Sequence, residues 1–346
     1  MKRHLSFLSA RHYLTTTLGA LALVAISAAT AQTTLRLSSW APPMHPVTTE
    51  ILGGWAKDVE RVTEGRVKVD ILKSPLGAPT AYYDLIRNGV VDVGFITHDF
   101  TPNRFALTRV AELPMLGGNA EDSSVALWRT QHKFFDPAKE HANVKVLGLM
   151  VHGPGYLYTM AQAPTSLEAL RGQKIRATAG IPQDLVTALG AVAVPAPPPK
   201  SYEVMMNGVV DGTIFPAESI AAFNLAPLIK HVLKVPGGFY KSTFAILMNE
   251  RKWNSLSKQD QEAIWSVSGE ELSRRAGQVW DKSDRAAEAI IHAANISEYI
   301  ATGDYLEAIK QRLTPLSDAW NAAAQARGVD ATAALEYFKL QLHNKP

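Results

Sequence analysis

The sequence predicts an α/β protein built as two lobes, and three observations carry that reading. Short alternating or apolar runs with strand character are interleaved with stretches of helical period along most of the chain. The chain has 346 residues, about 315 of them beyond a leader segment, a length that favours two lobes over one. The pentapeptide NGVVD occurs twice, at 88–92 and 207–211, each time between a helical stretch and an apolar one.

The first 31 residues read as a cleavable export signal. Lys2, Arg3 and Arg11 give a positive start, and residues 18–29 form an apolar run too short to span a bilayer. Ala29-Thr30-Ala31 then offers small residues at −3 and −1 for a cut after Ala31. No later run is long and apolar enough to span, so the mature chain is expected to be exported and not membrane-anchored. Without the leader, 32 basic residues face 32 acidic ones. That balance argues against a nucleic-acid partner, which would require a basic excess. The absence of cysteine excludes disulfides, thiolate nucleophiles, Cys-zinc sites and a lipid-anchoring cysteine.

Residues 34–40 (TLRLSSW) alternate as a first strand and stop at the breaker Ala41-Pro42-Pro43. Ile51, Leu52, Trp55, Val59 and Val62 recur at helical spacing over 47–62, ended by Gly65. Residues 66–72 alternate as a second strand, and a helix is expected over about 79–88. Asn88-Gly89 stops that helix, because glycine takes the left-handed conformation without a side-chain clash, and 90–96 (VVDVGFI) follows as a third strand. The second copy repeats the device: helical 202–206, the stop at Asn207-Gly208, then a strand over 209–215.

Further strands are expected at 144–151, 173–177 and 191–195, with a helix over 181–189. Pro195-Ala196-Pro197-Pro198-Pro199 is a stiff connector. From 257 to 300 the chain has helix-forming composition, opened by Ser257 as N-cap, and further helices run to about 342. Such a tail either caps the lobes or ties them together.

Taken in order, LIRNGVVD at 85–92, ELPML at 112–116, SLEALRGQKIR at 166–176, 202–212 and MNERKWNSL at 248–256 give the chain its family likeness. It resembles the periplasmic solute-binding proteins of TRAP (tripartite ATP-independent periplasmic) transporters, the DctP type, over most of the mature sequence. The resemblance implies a two-lobed periplasmic binding protein fold with a ligand cleft between lobes and a long helix spanning both. It further implies a periplasmic location, a small organic acid as ligand and a TRAP membrane permease as partner. On this basis lobe I is expected to comprise 32–152 with about 241–280, and lobe II 153–240 with about 281–346, the C-terminal helices packing on both.

The same resemblance nominates Arg176, at the arginine of a G-x-K-x-R stretch, as the ligand's carboxylate partner. A guanidinium offers parallel N–H donors and stays charged when buried, and such a charged hydrogen bond is worth about 1.5–3 kcal/mol. The bland alternative is an ordinary arginine at the end of a short strand. Two departures from the family pattern are informative. Tyr156 stands where many relatives carry a second arginine, and Phe215 where they often keep asparagine. Rings in place of polar groups would leave a dicarboxylate or sugar acid unsatisfied, at a few kcal/mol per unpaired group. An aromatic or apolar monocarboxylate, such as a 2-oxo or 2-hydroxy acid, could instead stack on Phe215 and Tyr156. The alternative is that Phe215 simply packs in the core, which would leave a C4-dicarboxylate or sugar acid open.

Tyr156, His152 and Glu218 are candidates for hydrogen bonds to an additional ligand oxygen. Trp40, His98 and Asp99 end strands one and three, where ligands of open α/β sheets sit. For His98 and Asp99 local turn bonding is the competing explanation, and His45 reads as structural. The sequence has no Gly-x-Ser-x-Gly elbow, His-Glu-x-x-His, phosphate-binding loop or dinucleotide fingerprint, so no enzyme activity, metal or cofactor is expected. A periplasmic sensor accessory of the same fold remains an alternative to a transport component.

Overall fold

The computed structural model describes residues 32–343; the expected leader and its cleavage point after Ala31 lie outside the described residues. Eleven strands are found among the described residues. They are β1 (Thr33–Ser39), β2 (Val67–Ile71), β3 (Val93–Thr97), β4 (Val144–Val151), β5 (Gly155–Thr159), β6 (Lys174–Ala177), β7 (Val192–Pro195), β8 (Gly212–Pro216), β9 (His231–Lys234), β10 (Thr243–Asn249) and β11 (Ser297–Ile300). They form two sheets, ordered β2-β1-β3-β10-β4 and β7-β6-β8-β5-β9-β11.

Up to β11 the two sheets have one plan. Three parallel strands come first, followed by an antiparallel fourth, to which the fifth is again antiparallel. The two NGVVD segments occupy matching places in that plan, ahead of β3 and β8. Each begins with the same helix stop. Gly89 (φ 77°) and Gly208 (φ 66°) are left-handed, and the N–H groups of Val90 and Val209 reach back to Leu85 and Val204 carbonyls. Each ends with the same clip. Asp92 Oδ2 accepts from Arg36 N–H on β1, and Asp211 Oδ2 from Lys174 N–H on β6, both at 2.8 Å. The first valine of each copy is half exposed and the second buried.

This geometry shortens the expected strands at 90–96 and 209–215 by three residues at their starts. The backbone of Val90–Asp92 and Val209–Asp211 is committed to the stop and the clip before laddering begins. The stretch of helix-forming composition over 257–300 divides into two helices and a short strand. Ser257 caps a helix of Lys258–Ser266, its side chain accepting from Asp260 N–H. A new helix then starts at Gly269, whose φ of 67° breaks the run, and extends over Gly269–Ala293. Asn295 (φ 53°) stops it, and Ser297–Ile300 pairs in parallel with β9 as an edge strand.

The chain crosses from the first sheet to the second between β4 and β5 and returns between β9 and β10. The two crossings are hydrogen-bonded to each other, Gly155 N–H to Tyr240 O at 2.8 Å and Phe239 N–H to Gly155 O at 2.9 Å. The 25-residue helix Gly269–Ala293 runs beside both. Its first half packs on β4 and on the helix Ala120–Thr130, and its second half on the helix Ala217–Ala222. Leu272, Ala276, Trp280, Ala287 and Ile291 form its buried stripe, at the spacing expected of a helix lying along two cores. The last helix, Ala331–His343, packs on Ala120–Thr130.

Candidate functional site

The C-terminal ends of the parallel strands in both sheets converge on one cavity that opens to solvent. Trp40 comes from the end of β1, Phe95 and Thr97 from β3, and Phe215 with Pro216 from β8. His152 follows β4, and Thr178 follows β6. Tyr240 and Ser242 enter from the returning crossing, Phe244 from β10 and Trp280 from the long helix. Aromatic rings dominate. Phe244 stacks between Phe95 (5.3 Å) and Trp280 (4.9 Å), and Trp40 meets Phe100 edge-on at 5.4 Å. Phe215 stacks on Phe223 at 5.8 Å. Such walls suit a flat apolar body.

Arg176 lies on β6 and is fully buried. Its guanidinium carbon sits 4.1 Å over the Phe215 ring, so it backs onto the cavity's aromatic wall. Nε and Nη2 both donate to the Ala196 carbonyl, at 2.9 and 2.6 Å, while Nη1 has no hydrogen-bond partner among the described residues. Burial lowers its pKa to about 10, still far above neutrality, so the charge persists. The guanidinium is thus a buried cation with a spare donor and no carboxylate at ion-pair distance among the described residues, and it lies behind the residues that line the cavity.

At another point of the wall, His45 Nε2 approaches Glu218 Oε1 to 3.1 Å. The approach is off the line of a hydrogen bond, so Oε1 has no aligned donor. His45 Nδ1 accepts from Val47 N–H, which places the ring proton on Nε2, and Glu218 Oε2 accepts from Ser219 Oγ. Burial pushes the Glu218 carboxyl up to about 7 and the His45 imidazole down to about 4. Asp284, whose Oδ1 accepts from Glu218 N–H, is also raised by burial to about 7. A carboxyl raised on folding contributes stability that is full below its ordinary 4.5 and is lost as pH rises through its folded value. The variant Glu218→Gln should therefore gain thermal stability relative to the parent as pH goes from 5 to 8. A difference in melting temperature that stays constant across that range would contradict the assigned shift.

The other candidates take different places. His152 lines the cavity, but its ring nitrogens are engaged: Nδ1–H donates to Gly153 O (2.6 Å) and Nε2 accepts from Ser242 N–H (3.0 Å). It therefore offers a ring face, packed edge-on to Tyr240, and not a free hydrogen bond. His98 turns away from the cavity, bonded through Nδ1 to Thr243 Oγ1 and through Nε2 to His141 Nε2. Asp99 is buried behind the wall. Its Oδ2 accepts from Ser242 Oγ at 2.6 Å, and burial beside the Glu112 carboxyl raises its pKa well above the usual range. Its Oδ1 would lie 2.9 Å from a Cβ placed on Gly180, so the glycine there permits close approach of the second lobe. Tyr156 pairs in register with Phe215 but lies beneath Lys234, outside the cavity lining. His45, read from sequence as structural, proves to be part of the wall, and Tyr240 and Trp280 were not singled out by any local pattern.

Two sheets of one plan, joined by paired crossings and a spanning helix around one ring-lined cavity, define a two-lobed solute-binding protein. The chain belongs to the DctP family, bacterial extracellular solute-binding protein family 7, whose model matches residues 37–323. It is similar to a TRAP periplasmic solute-binding protein of Bordetella bronchiseptica, solved with bound (R)- and (S)-mandelate. That pair has 38% identity and a TM-score of 0.87, covering 89% of this chain and 98% of that one. A TRAP solute-binding protein of Rhodoferax ferrireducens, in complex with copurified benzoate, is 26% identical with a TM-score of 0.83, over 90% and 98% of the chains. Among curated proteins, the "outer membrane transporter protein TsaT" of Comamonas testosteroni is 32% identical, over 89% of this chain and 91% of its own. No helix among the described residues is long and apolar enough to cross a membrane.

Proposed function

We propose that this protein captures an aromatic monocarboxylate in the periplasm, by closure of the two lobes, and delivers it to a TRAP membrane permease. The observation that carries the reading is Arg176: a buried guanidinium with a spare Nη1 donor, stacked on Phe215 at the edge of a cavity walled by rings. The carboxylate completes the cation's hydrogen bonding, and the ligand ring occupies the space between Trp40, Phe215 and Phe244. Mandelate and benzoate in the two similar solved proteins support the same ligand class. Closure is taken to occur between residues 32–152 with about 241–280 and residues 153–240 with about 281–346, after removal of the leader at Ala31.

Micromolar affinity corresponds to about −8 kcal/mol, within reach of one charged pair and one buried ring. Calorimetric titration of the exported protein with benzoate, mandelate, succinate and galacturonate tests the reading. Benzoate or mandelate should bind at micromolar Kd, and succinate and galacturonate at least a hundredfold more weakly. Preferred binding of succinate or galacturonate would overturn it.

A further inference from the structure

A run of rings separates Arg176, which lies behind the cavity wall, from a second polar group that lines the cavity. Arg176 packs on Phe215, Phe215 stacks on Phe223, and Phe223 packs on His45 at 5.4 Å between ring centres. The guanidinium and the His45–Glu218 pair therefore lie at opposite ends of a run of two phenyl rings. Glu218 is 3% exposed and His45 is 7% exposed, and both line the cavity. Their approach is off the line of a hydrogen bond and leaves Glu218 Oε1 without an aligned donor, while His45 Nε2 carries the ring proton beside it. A hydroxyl beside the pair can satisfy both, donating to Oε1 and accepting from Nε2–H.

We propose that Glu218 and His45 form a hydroxyl-recognition site, so that the ligand is an aromatic acid carrying a hydroxyl on its ring, remote from the carboxylate. This rests on the aromatic-acid reading of the cavity and deepens it. A hydroxyl on the carbon next to the carboxylate would sit near Arg176, at the wrong end of the ring run. His45 follows β1 in the first lobe and Glu218 follows β8 in the second, so the ring hydroxyl also bridges the two lobes. Sites built to bond a substrate hydroxyl discriminate strongly against the analogue lacking it, because the polar pair is then left unsatisfied. The buried state of Glu218, with its carboxyl raised towards neutrality, is in keeping with a group held ready for a neutral partner.

The test is calorimetric titration with two matched sets: benzoate against 3- and 4-hydroxybenzoate, and phenylacetate against mandelate. We expect at least one hydroxybenzoate to bind about tenfold or more tightly than benzoate. In Glu218→Leu that ratio should fall to about one, while Glu218→Gln, whose carbonyl still accepts, should retain most of it. If Glu218→Leu does not fold, His45→Phe is scored instead with the same expectation. A ratio below about two in the parent, or one that survives Glu218→Leu, overturns the proposal. So does a Glu218-dependent preference for mandelate over phenylacetate without one for a ring hydroxyl. If none of the five acids binds, the aromatic-acid reading falls together with this one, whereas benzoate binding without hydroxyl preference removes this one alone.

Discussion

Replacement of Arg176 by alanine should weaken binding of the aromatic acid at least a hundredfold, to the point where calorimetry detects no heat of association. The charged hydrogen bond itself accounts for about 1.5–3 kcal/mol. The variant also leaves a ligand carboxylate to be buried without a partner, which costs more than the bond contributed. Arg176→Lys should recover little, since an ammonium cannot bond Ala196 O through two nitrogens and still present a third to the ligand. The fold should survive, because β6 keeps its ladder to β7 and β8 through backbone groups. Unchanged affinity in a folded Arg176→Ala protein would remove the guanidinium from the site.

The largest effect on stability is expected from Gly277→Ala, and its sign runs against local propensity. In an isolated helix the change would stabilise by about 1 kcal/mol. Here a Cβ on Gly277 would come within 2.4 Å of Glu121 Cα and 2.6 Å of Ala120 O, backbone atoms that cannot swing aside. One turn further along, Asp281 accepts from Ala120 N–H (2.7 Å) and Glu121 N–H (3.1 Å), capping the helix Ala120–Thr130. Pushing the two helices apart loses that cap along with the packing, and a net destabilisation of about 3 kcal/mol or more follows. Urea denaturation measures it; a stabilised Gly277→Ala would show that the close approach carries no weight.

Much of the α/β architecture was legible because half-covered strands alternate and helices repeat at three and four. The 144–151 strand was read with its observed ends. What escaped was β10 (TFAILMN), an unbroken apolar run whose periodicity cannot separate a buried strand from a buried helix. β5 and β9 escaped for another reason: they are short and depend on partners far along the chain. The candidate binding residues divide in the same way. Trp40 could be placed on the cavity wall because it sits at a strand's end, a local signal, whereas Phe215 was nominated by its departure from a family pattern. Arg176 was placed beside that wall by likeness to a family. His45, Tyr240 and Trp280 reach the wall through a loop, a return crossing and a spanning helix, which only tertiary structure brings together. His98 and Asp99 occupy the right turn, but their polar atoms are spent on Thr243, His141 and Ser242 behind the wall.

The contacts between lobes flank the cavity on more than one side. His45 meets Glu218, and Arg109 Nη2 reaches Asp184 Oδ2 at 3.3 Å. Asp99 lies against Gly180, where a side chain would not fit. Moving the lobes apart would part these contacts. Under the proposed capture by lobe closure, binding is expected to be gated: its rate would follow the fraction of time the lobes stand apart, and level off at high ligand concentration instead of rising with every encounter.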